Sequence, residues 1–106
     1  MKFMYDVAEE NSVEIICFGH AGDGNLHVVL VHEEENKQES ILQVVERLIR
    51  FCLTLGGTIS GEYGIGTAKA PFIPLELSDD EIHLMKSIKK ILDPKNLLNS
   101  GKVLKD

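Results

Sequence analysis

The stretch VEIICFGHAGDGNLHVVLVH, residues 13–32, decides the fold of this chain. It contains two apolar runs rich in β-branched side chains, residues 13–19 and 25–32, which are typical of strands. Between them lies Asp23-Gly24, and Asp-Gly is a strong hairpin signal because a type I′ turn needs positive φ at both central residues. The stretch therefore predicts an antiparallel hairpin.

The register of this hairpin places two histidines together. With Asp23-Gly24 as a two-residue loop, His20 lies directly opposite His27, and Asn25 lies on the same face. Directly opposed residues have Cβ atoms about 4.5–5.5 Å apart, so the two imidazoles can converge on one metal ion. Opposed histidines are more often a packed or solvated pair, and that interpretation stays open beside the metal site.

Apolar residues spaced three or four apart predict helices over residues 2–10, 38–55 and 79–92. A capping box of Ser78 and Glu81 opens the last of these helices. Its predicted buried stripe consists of Leu84, Met85, Ile88, Ile91 and Leu92.

A short strand is expected at residues 58–60, running into a glycine-rich loop that reaches Gly66. The order helix, strand, strand, helix, strand, helix is most of a ferredoxin-like α+β unit, an antiparallel sheet with helices on one face. A first strand of that unit would precede residue 1, so the unit is predicted to be incomplete. We treat residues 1–106 as a single domain.

Composition excludes several classes of function. The chain has 106 residues, with 11 basic and 17 acidic side chains and a formal net charge of −6, which argues against a nucleic-acid partner. No apolar run approaches the roughly 18 residues that span a bilayer. Cys17 and Cys52 form no disulfide framework and indicate buried small side chains in a reducing compartment, so we expect a cytoplasmic location. A domain for a nucleotide cofactor and a substrate domain do not both fit in this length.

The glycine-rich loop contains one acidic residue, Glu62, which completes a His₂Glu ligand set of the kind that binds zinc with positions open for water or substrate. The glycine spacing fits neither dinucleotide fingerprint, and no Gly-Lys-Ser/Thr follows. Lys69, just beyond, either neutralises an anion or is an ordinary surface lysine. His32, His83 and the acidic run 33–35 are predicted to lie at the surface.

Three motifs resemble those of one family. Residues 19–27 (GHAGDGNLH) resemble the G-H-x-G-D-G-N-x-H motif of the FAD-linked oxidases, vanillyl-alcohol-oxidase-like flavoproteins that include glycolate oxidase, D-lactate dehydrogenase and D-2-hydroxyglutarate dehydrogenase. Residues 57–66 (GTISGEYGIG) resemble the second motif, and residues 93–102 (DPKNLLNSGK) resemble the C-terminal one. Together, in this order, they cover most of the chain.

The resemblance implies the C-terminal substrate and metal-binding part of an enzyme that oxidises a D-2-hydroxy acid to a 2-oxo acid and passes hydride to FAD. In metal-dependent members of the family the motif residues that correspond to His20, His27 and Glu62 bind the divalent ion, which we expect to be zinc. Asn25 and Lys69 are then substrate contacts. Asn99 is a cofactor contact.

Two residues depart from the family pattern. Tyr63 replaces the histidine expected as general base or substrate contact, and a tyrosine with pKa near 10 is a poor base at neutral pH. It can still donate a hydrogen bond to a substrate carboxylate. Ser100 replaces a proline and removes no chemical group.

The FAD-binding domain precedes this region in the family, so the chain is expected to need an FAD-binding domain or subunit as partner and to be inactive alone. It then corresponds to a cut piece, a separate subunit or the product of a broken gene. One alternative is a non-enzymatic ferredoxin-like module that binds metal or a small acid and forms oligomers through its sheet edge. A metal-dependent hydrolase is less consistent with the sequence, since no nucleophile or second base accompanies the ligands.

Overall fold

The computed structural model describes residues 1–31 and 38–104, with the side chain of Gln38 excluded. Its elements, in chain order, are α1 (Lys2–Glu10), β1 (Glu14–His20), β2 (Asn25–Val31), α2 (Gln38–Thr54), a 3₁₀ turn (Ala70–Phe72), α3 (Ile73–Glu76) and α4 (Asp79–Leu92). The two strands form an antiparallel sheet, so the predicted α+β class is confirmed. His32 and the acidic run 33–35 lie outside the described residues.

The chain divides into two compact units, Met1–Leu55 and Gly56–Asp106. The first unit contains the sheet with α1 and α2. The second contains the glycine-rich segment, α3, α4 and the C-terminal tail.

The core of the first unit forms where the helices meet one face of the sheet. Three valines are buried here: Val7 of α1, Val13 just before β1, and Val44 of α2. Phe3, Leu30 and Leu48 pack against them. Phe3 also stacks on Phe51, with ring centroids 4.0 Å apart. The apolar residues of α1 and α2 therefore pack on one face of the sheet, although Leu55, just after α2, is 72% exposed.

The opposite face of the sheet is exposed. It carries Ile16 and Phe18 of β1 opposite Val29 and His27 of β2, and Phe18 is 58% exposed. His20 and Asn25 continue the same face at the hairpin end, because alternate residues of a strand point to the same side.

The hairpin register differs from the predicted one. The loop has four residues, 21–24, and His20 pairs with Asn25 while His27 pairs with Phe18. Among the described residues of this turn only Gly24 has positive φ, so the type I′ turn is not formed; instead the Asp23 N–H donates to the His20 carbonyl at 3.1 Å. The shift is two residues, which keeps both histidines on one face.

The expected third strand is not formed. Residues 57–60 have no strand pairing, and the Ile59 N–H donates to the Glu76 carboxylate at 2.9 Å instead of to a neighbouring strand. Two β-formers, Thr58 and Ile59, are too few to compete with that bond when glycines flank them.

The predicted bounds of α4 are confirmed, but its buried stripe is wrong. Ser78 and Glu81 form the capping box, with the Ser78 N–H donating to Glu81 Oε2 at 2.8 Å. Met85 is half-buried, whereas the other members of the stripe are exposed, namely Leu84, Ile88, Ile91 and Leu92. Amphipathic spacing is a local property of a helix, and burial needs a partner element to cover it.

No helix among the described residues is long and apolar enough to cross a membrane. Neither Cys17 nor Cys52 forms a disulfide, and both are half-buried rather than fully buried as expected.

Candidate functional site

The hairpin end of the first unit gathers three of the expected site residues. His20 and His27 have ring centroids 5.7 Å apart with their planes at 80°, and Asn25 is the direct cross-strand partner of His20. His20 is exposed, while Asn25 and His27 are half-buried. Two imidazoles and an amide therefore share the exposed face of the sheet.

His27 is held in place by an aromatic partner that the sequence analysis did not single out. Its ring stacks on Phe18, with centroids 5.1 Å apart and planes at 26°. Offset stacks of this kind contribute about 0.5–1.5 kcal/mol beyond the buried area. The signal was present in the alternation of β1, since Phe18 and His20 are two residues apart and share a face.

Gly19 permits the close approach of the two strands beside the histidines. A Cβ added at this position would lie 2.1 Å from the backbone oxygen of Asn25, a separation that real Cβ atoms essentially never show. Glycine is therefore required here for packing. It allows β2 to run close enough for His20 and His27 to meet on one face.

The other expected site residues belong to the second unit. Glu62 and Tyr63 are exposed, and Tyr63 is 85% exposed, in a segment without regular structure. Lys69 is half-buried, and its backbone N–H donates to the Ile65 carbonyl at 3.2 Å. Asn99 is exposed in the tail with φ of 49°.

Asn99 borders a cavity of about 220 Å³ between α4 and the tail. Polar and basic residues that line it include Lys86, Lys90, Asn96 and Asn99. Lys89 and Asp93, also in the lining, form an ion pair. The cavity next to the expected cofactor contact therefore combines polar and basic side chains with apolar surface that includes Leu104.

Asp93 organises the tail at this point. Its carboxylate accepts the backbone N–H groups of Leu97 at 3.0 Å and Leu98 at 2.9 Å, and Lys89 Nζ donates to the Leu98 carbonyl at 2.8 Å. The Lys89 hydrogen bond, followed by the two backbone bonds, lowers the pKa of Asp93 from 3.8 to about 2. The carboxylate is therefore charged throughout the ordinary pH range and fixes the start of the tail.

Ser60, two residues before Glu62, is a further residue that sequence reasoning missed. Its Oγ is buried and has no hydrogen-bond partner among the described residues. No sequence signal indicates it, because the burial of one hydroxyl depends on packing. His83 is exposed on α4, as predicted.

Comparison with known proteins defines the class. The sequence profile of the FAD linked oxidases, C-terminal domain, matches residues 1–103, so the chain belongs to this family of oxidoreductases. The resemblance carried by the three motifs is thereby confirmed. Membership implies FAD in the full enzyme.

Individual relatives agree with this class. The chain is 40% identical over 105 residues to glycolate oxidase subunit GlcD of Bacillus subtilis, covering 97% of the chain and 22% of the relative. It is 45% identical over 101 residues to D-lactate dehydrogenase of Archaeoglobus fulgidus, covering 94% and 22%. It is 38% identical over 94 residues to D-2-hydroxyglutarate dehydrogenase of Xanthomonas citri, covering 85% and 20%. The chain thus spans about a fifth of the length of these relatives.

Proposed function

We propose that this chain is the C-terminal substrate- and metal-binding part of an FAD-dependent D-2-hydroxy-acid dehydrogenase of the glycolate or D-lactate type. The observation that carries the proposal is the histidine pair on the exposed face of the hairpin, within a chain that belongs to the FAD-linked oxidase family. The relatives are named for glycolate, D-lactate and D-2-hydroxyglutarate, all 2-hydroxy acids. FAD binds mainly to a partner domain or subunit, and the chain alone is inactive.

The side chains of the hairpin fit a divalent metal. Imidazole nitrogens are good ligands for zinc and similar ions, and His20 and His27 present two of them on one face. The stack of Phe18 on His27 restricts the orientation of that ring, as outer-shell partners of metal ligands do. We propose zinc as the ion and Glu62 as its carboxylate ligand. The assignment of Glu62 rests on the motif resemblance.

Of the remaining residues, three bind and orient the substrate and one contacts the cofactor. When bound, FAD would supply the hydride acceptor, and a divalent ion held by His20, His27 and Glu62 would supply a Lewis acid for the substrate hydroxyl and carboxylate. Asn25, opposite His20, offers amide hydrogen bonds to the substrate. Lys69 neutralises the substrate carboxylate. Tyr63 donates a hydrogen bond to it in place of the family's histidine, and Asn99 contacts the flavin.

Metal analysis tests the site independently of activity. We expect stoichiometric zinc in the purified chain, lost in His20→Ala and in Glu62→Ala. His83→Ala, which removes an exposed histidine from α4, is the matched control and retains the metal. Equal metal content in all four proteins contradicts the metal assignment.

Co-expression tests the enzyme assignment. The chain, co-expressed with an FAD-binding domain of this family, is expected to bind FAD and to reduce a dye with lactate, glycolate or 2-hydroxyglutarate. Failure with all three acids contradicts the assignment. A folded, colourless chain that binds metal without any FAD-binding partner favours the non-enzymatic module instead.

A cytoplasmic location belongs to the same proposal. Its support is that neither Cys17 nor Cys52 forms a disulfide, which is typical of proteins kept in a reducing compartment. Fractionation of cells that express the intact gene tests it. Recovery in an oxidising compartment would contradict it.

A further inference from the structure

The segment that carries Glu62 and Tyr63 has no regular secondary structure. Residues 57–66 form neither helix nor strand, and Gly64 and Gly66 have φ of 75° and 57°. Fixing one residue of such a segment costs about 1–2 kcal/mol of backbone entropy, and glycine costs most. The contacts that hold the ends of the segment therefore help to set the position of its exposed side chains.

A carboxylate holds the first end. The Ile59 backbone N–H donates to Glu76 Oε2 at 2.9 Å, across 17 residues of sequence. Ile59 is 8% exposed, so its amide is largely withdrawn from water and needs a protein acceptor. A hydrogen bond to an ionised carboxylate is shorter and stronger than one to a neutral oxygen. Ile59 is thus fixed three residues before Glu62.

Glu76 lies at the end of a conformationally restricted segment. Glu76 ends α3, which follows directly on the 3₁₀ turn, and the Leu77 N–H closes α3 on the Ile73 carbonyl at 2.9 Å. Pro71 and Pro74 lie in the first turns of these two elements and have fixed φ. Ile73 is 4% exposed. The Glu76 carboxylate is therefore presented from a buried and conformationally restricted base.

The tail holds the other end. The Val103 N–H donates to the Gly66 carbonyl at 2.8 Å, and the Lys69 N–H donates to the Ile65 carbonyl at 3.2 Å. Val103 has φ of 64°, a conformation that β-branched residues adopt only when their surroundings impose it. Glu62 lies between these two anchors.

We propose that Glu76 is a positioning residue for Glu62 and Tyr63, acting through the Ile59 amide. It is not a ligand itself. It fixes the chain three residues upstream, so that the carboxylate of Glu62 and the hydroxyl of Tyr63 are presented in one arrangement. This inference rests on the proposed function, in which Glu62 binds the metal.

The test compares Glu76→Ala with Glu76→Gln in the full chain. Alanine removes the acceptor, whereas glutamine keeps an oxygen that the Ile59 N–H can still reach. Glu46→Ala, which removes an exposed carboxylate from α2, is the control for the change in charge. We expect Glu76→Ala to speed hydrogen exchange at the Ile59 amide and to shift the NMR signals of the Glu62 and Tyr63 amides. Glu76→Gln and Glu46→Ala leave these signals close to those of the original chain.

Zinc affinity, measured by competition with a chromophoric chelator, is the second readout. Loss of an outer-shell partner typically costs about 10–100-fold in metal affinity, so Glu76→Ala is expected to weaken zinc about tenfold and Glu76→Gln much less. Unchanged zinc affinity in Glu76→Ala overturns the inference, even where the Ile59 amide exchanges faster. If the original chain binds no zinc, the proposed metal site has failed. In that case the NMR signals of the Glu62 and Tyr63 amides test the positioning role of Glu76. If these signals do not shift in Glu76→Ala, the positioning role is overturned.

Discussion

His20 and His27 lie diagonally across the β1–β2 hairpin, with ring centroids 5.7 Å apart, rather than directly opposite each other. Their direct partners are Asn25 and Phe18. The arrangement joins an imidazole pair to an amide at the hairpin end and to an aromatic stack further along the sheet. It depends on how closely β1 and β2 approach each other beside the turn.

Gly19 controls that approach, so Gly19→Ala is expected to destabilise the first unit. The new Cβ would overlap the backbone oxygen of Asn25, and relief requires the strands to separate. We expect a loss of about 1–3 kcal/mol or more in the free energy of unfolding, measured with urea, together with loss of the His20–His27 proximity in NMR spectra. Gly22→Ala is the control, since a Cβ there meets nothing within 4 Å. Equal stability of the two variants would contradict the close contact.

Asp93 makes the free energy of unfolding of the second unit depend on pH in the acidic range. Because its pKa is lowered to about 2 in the folded chain, from an ordinary value of 3.8, its contribution is complete above pH 3.8 and is lost as the pH falls through 2. The difference in unfolding free energy between the original chain and Asp93→Asn is therefore expected to shrink over this interval. A carboxyl NMR titration of Asp93 with a midpoint near 3.8 would show that the network around Lys89 is not formed.

A comparison of Ile73 with Ile91 tests whether burial, and not helical spacing alone, determines how much an isoleucine contributes to stability. Ile91 of α4 is 78% exposed and Ile73 of α3 is 4% exposed. Ile73→Ala is expected to cost about 2–5 kcal/mol in the free energy of unfolding, through lost burial and the cavity left behind. Ile91→Ala stays within about 0.5 kcal/mol. A comparable loss in both variants, measured by urea unfolding, would mean that the stripe of α4 is covered in solution.

Ser60 and Ser78 offer a second matched pair. Ser78 caps α4, so Ser78→Ala is expected to cost about 0.5–2 kcal/mol in thermal or urea unfolding. Ser60→Ala removes a buried hydroxyl that has no partner among the described residues, so it is expected to be neutral or stabilising. A destabilised Ser60→Ala chain would reveal a bound water or other partner for this hydroxyl.

Local signals predicted much of the fold. Periodic apolar residues gave α1, α2 and α4 nearly to the residue, and the Ser78–Glu81 pair marked the start of α4. These features depend on neighbours within one turn of helix, which a sequence displays directly. The three motifs likewise identified the family, since motif residues and their order are properties of the sequence itself.

The sequence by itself determined the helices, the hairpin, the histidines on one sheet face and the family. Only the tertiary structure decided the register of the hairpin. Asp23 does not adopt the positive φ of a type I′ turn, and its N–H donates to the His20 carbonyl instead. It also decided that the Ile59 amide bonds to Glu76 instead of a third strand, and that Ile91 stays exposed. The register is a choice between two local turn geometries of similar stability, whereas the other two outcomes depend on elements distant in sequence. Local patterns carry no measure of which arrangement is more stable.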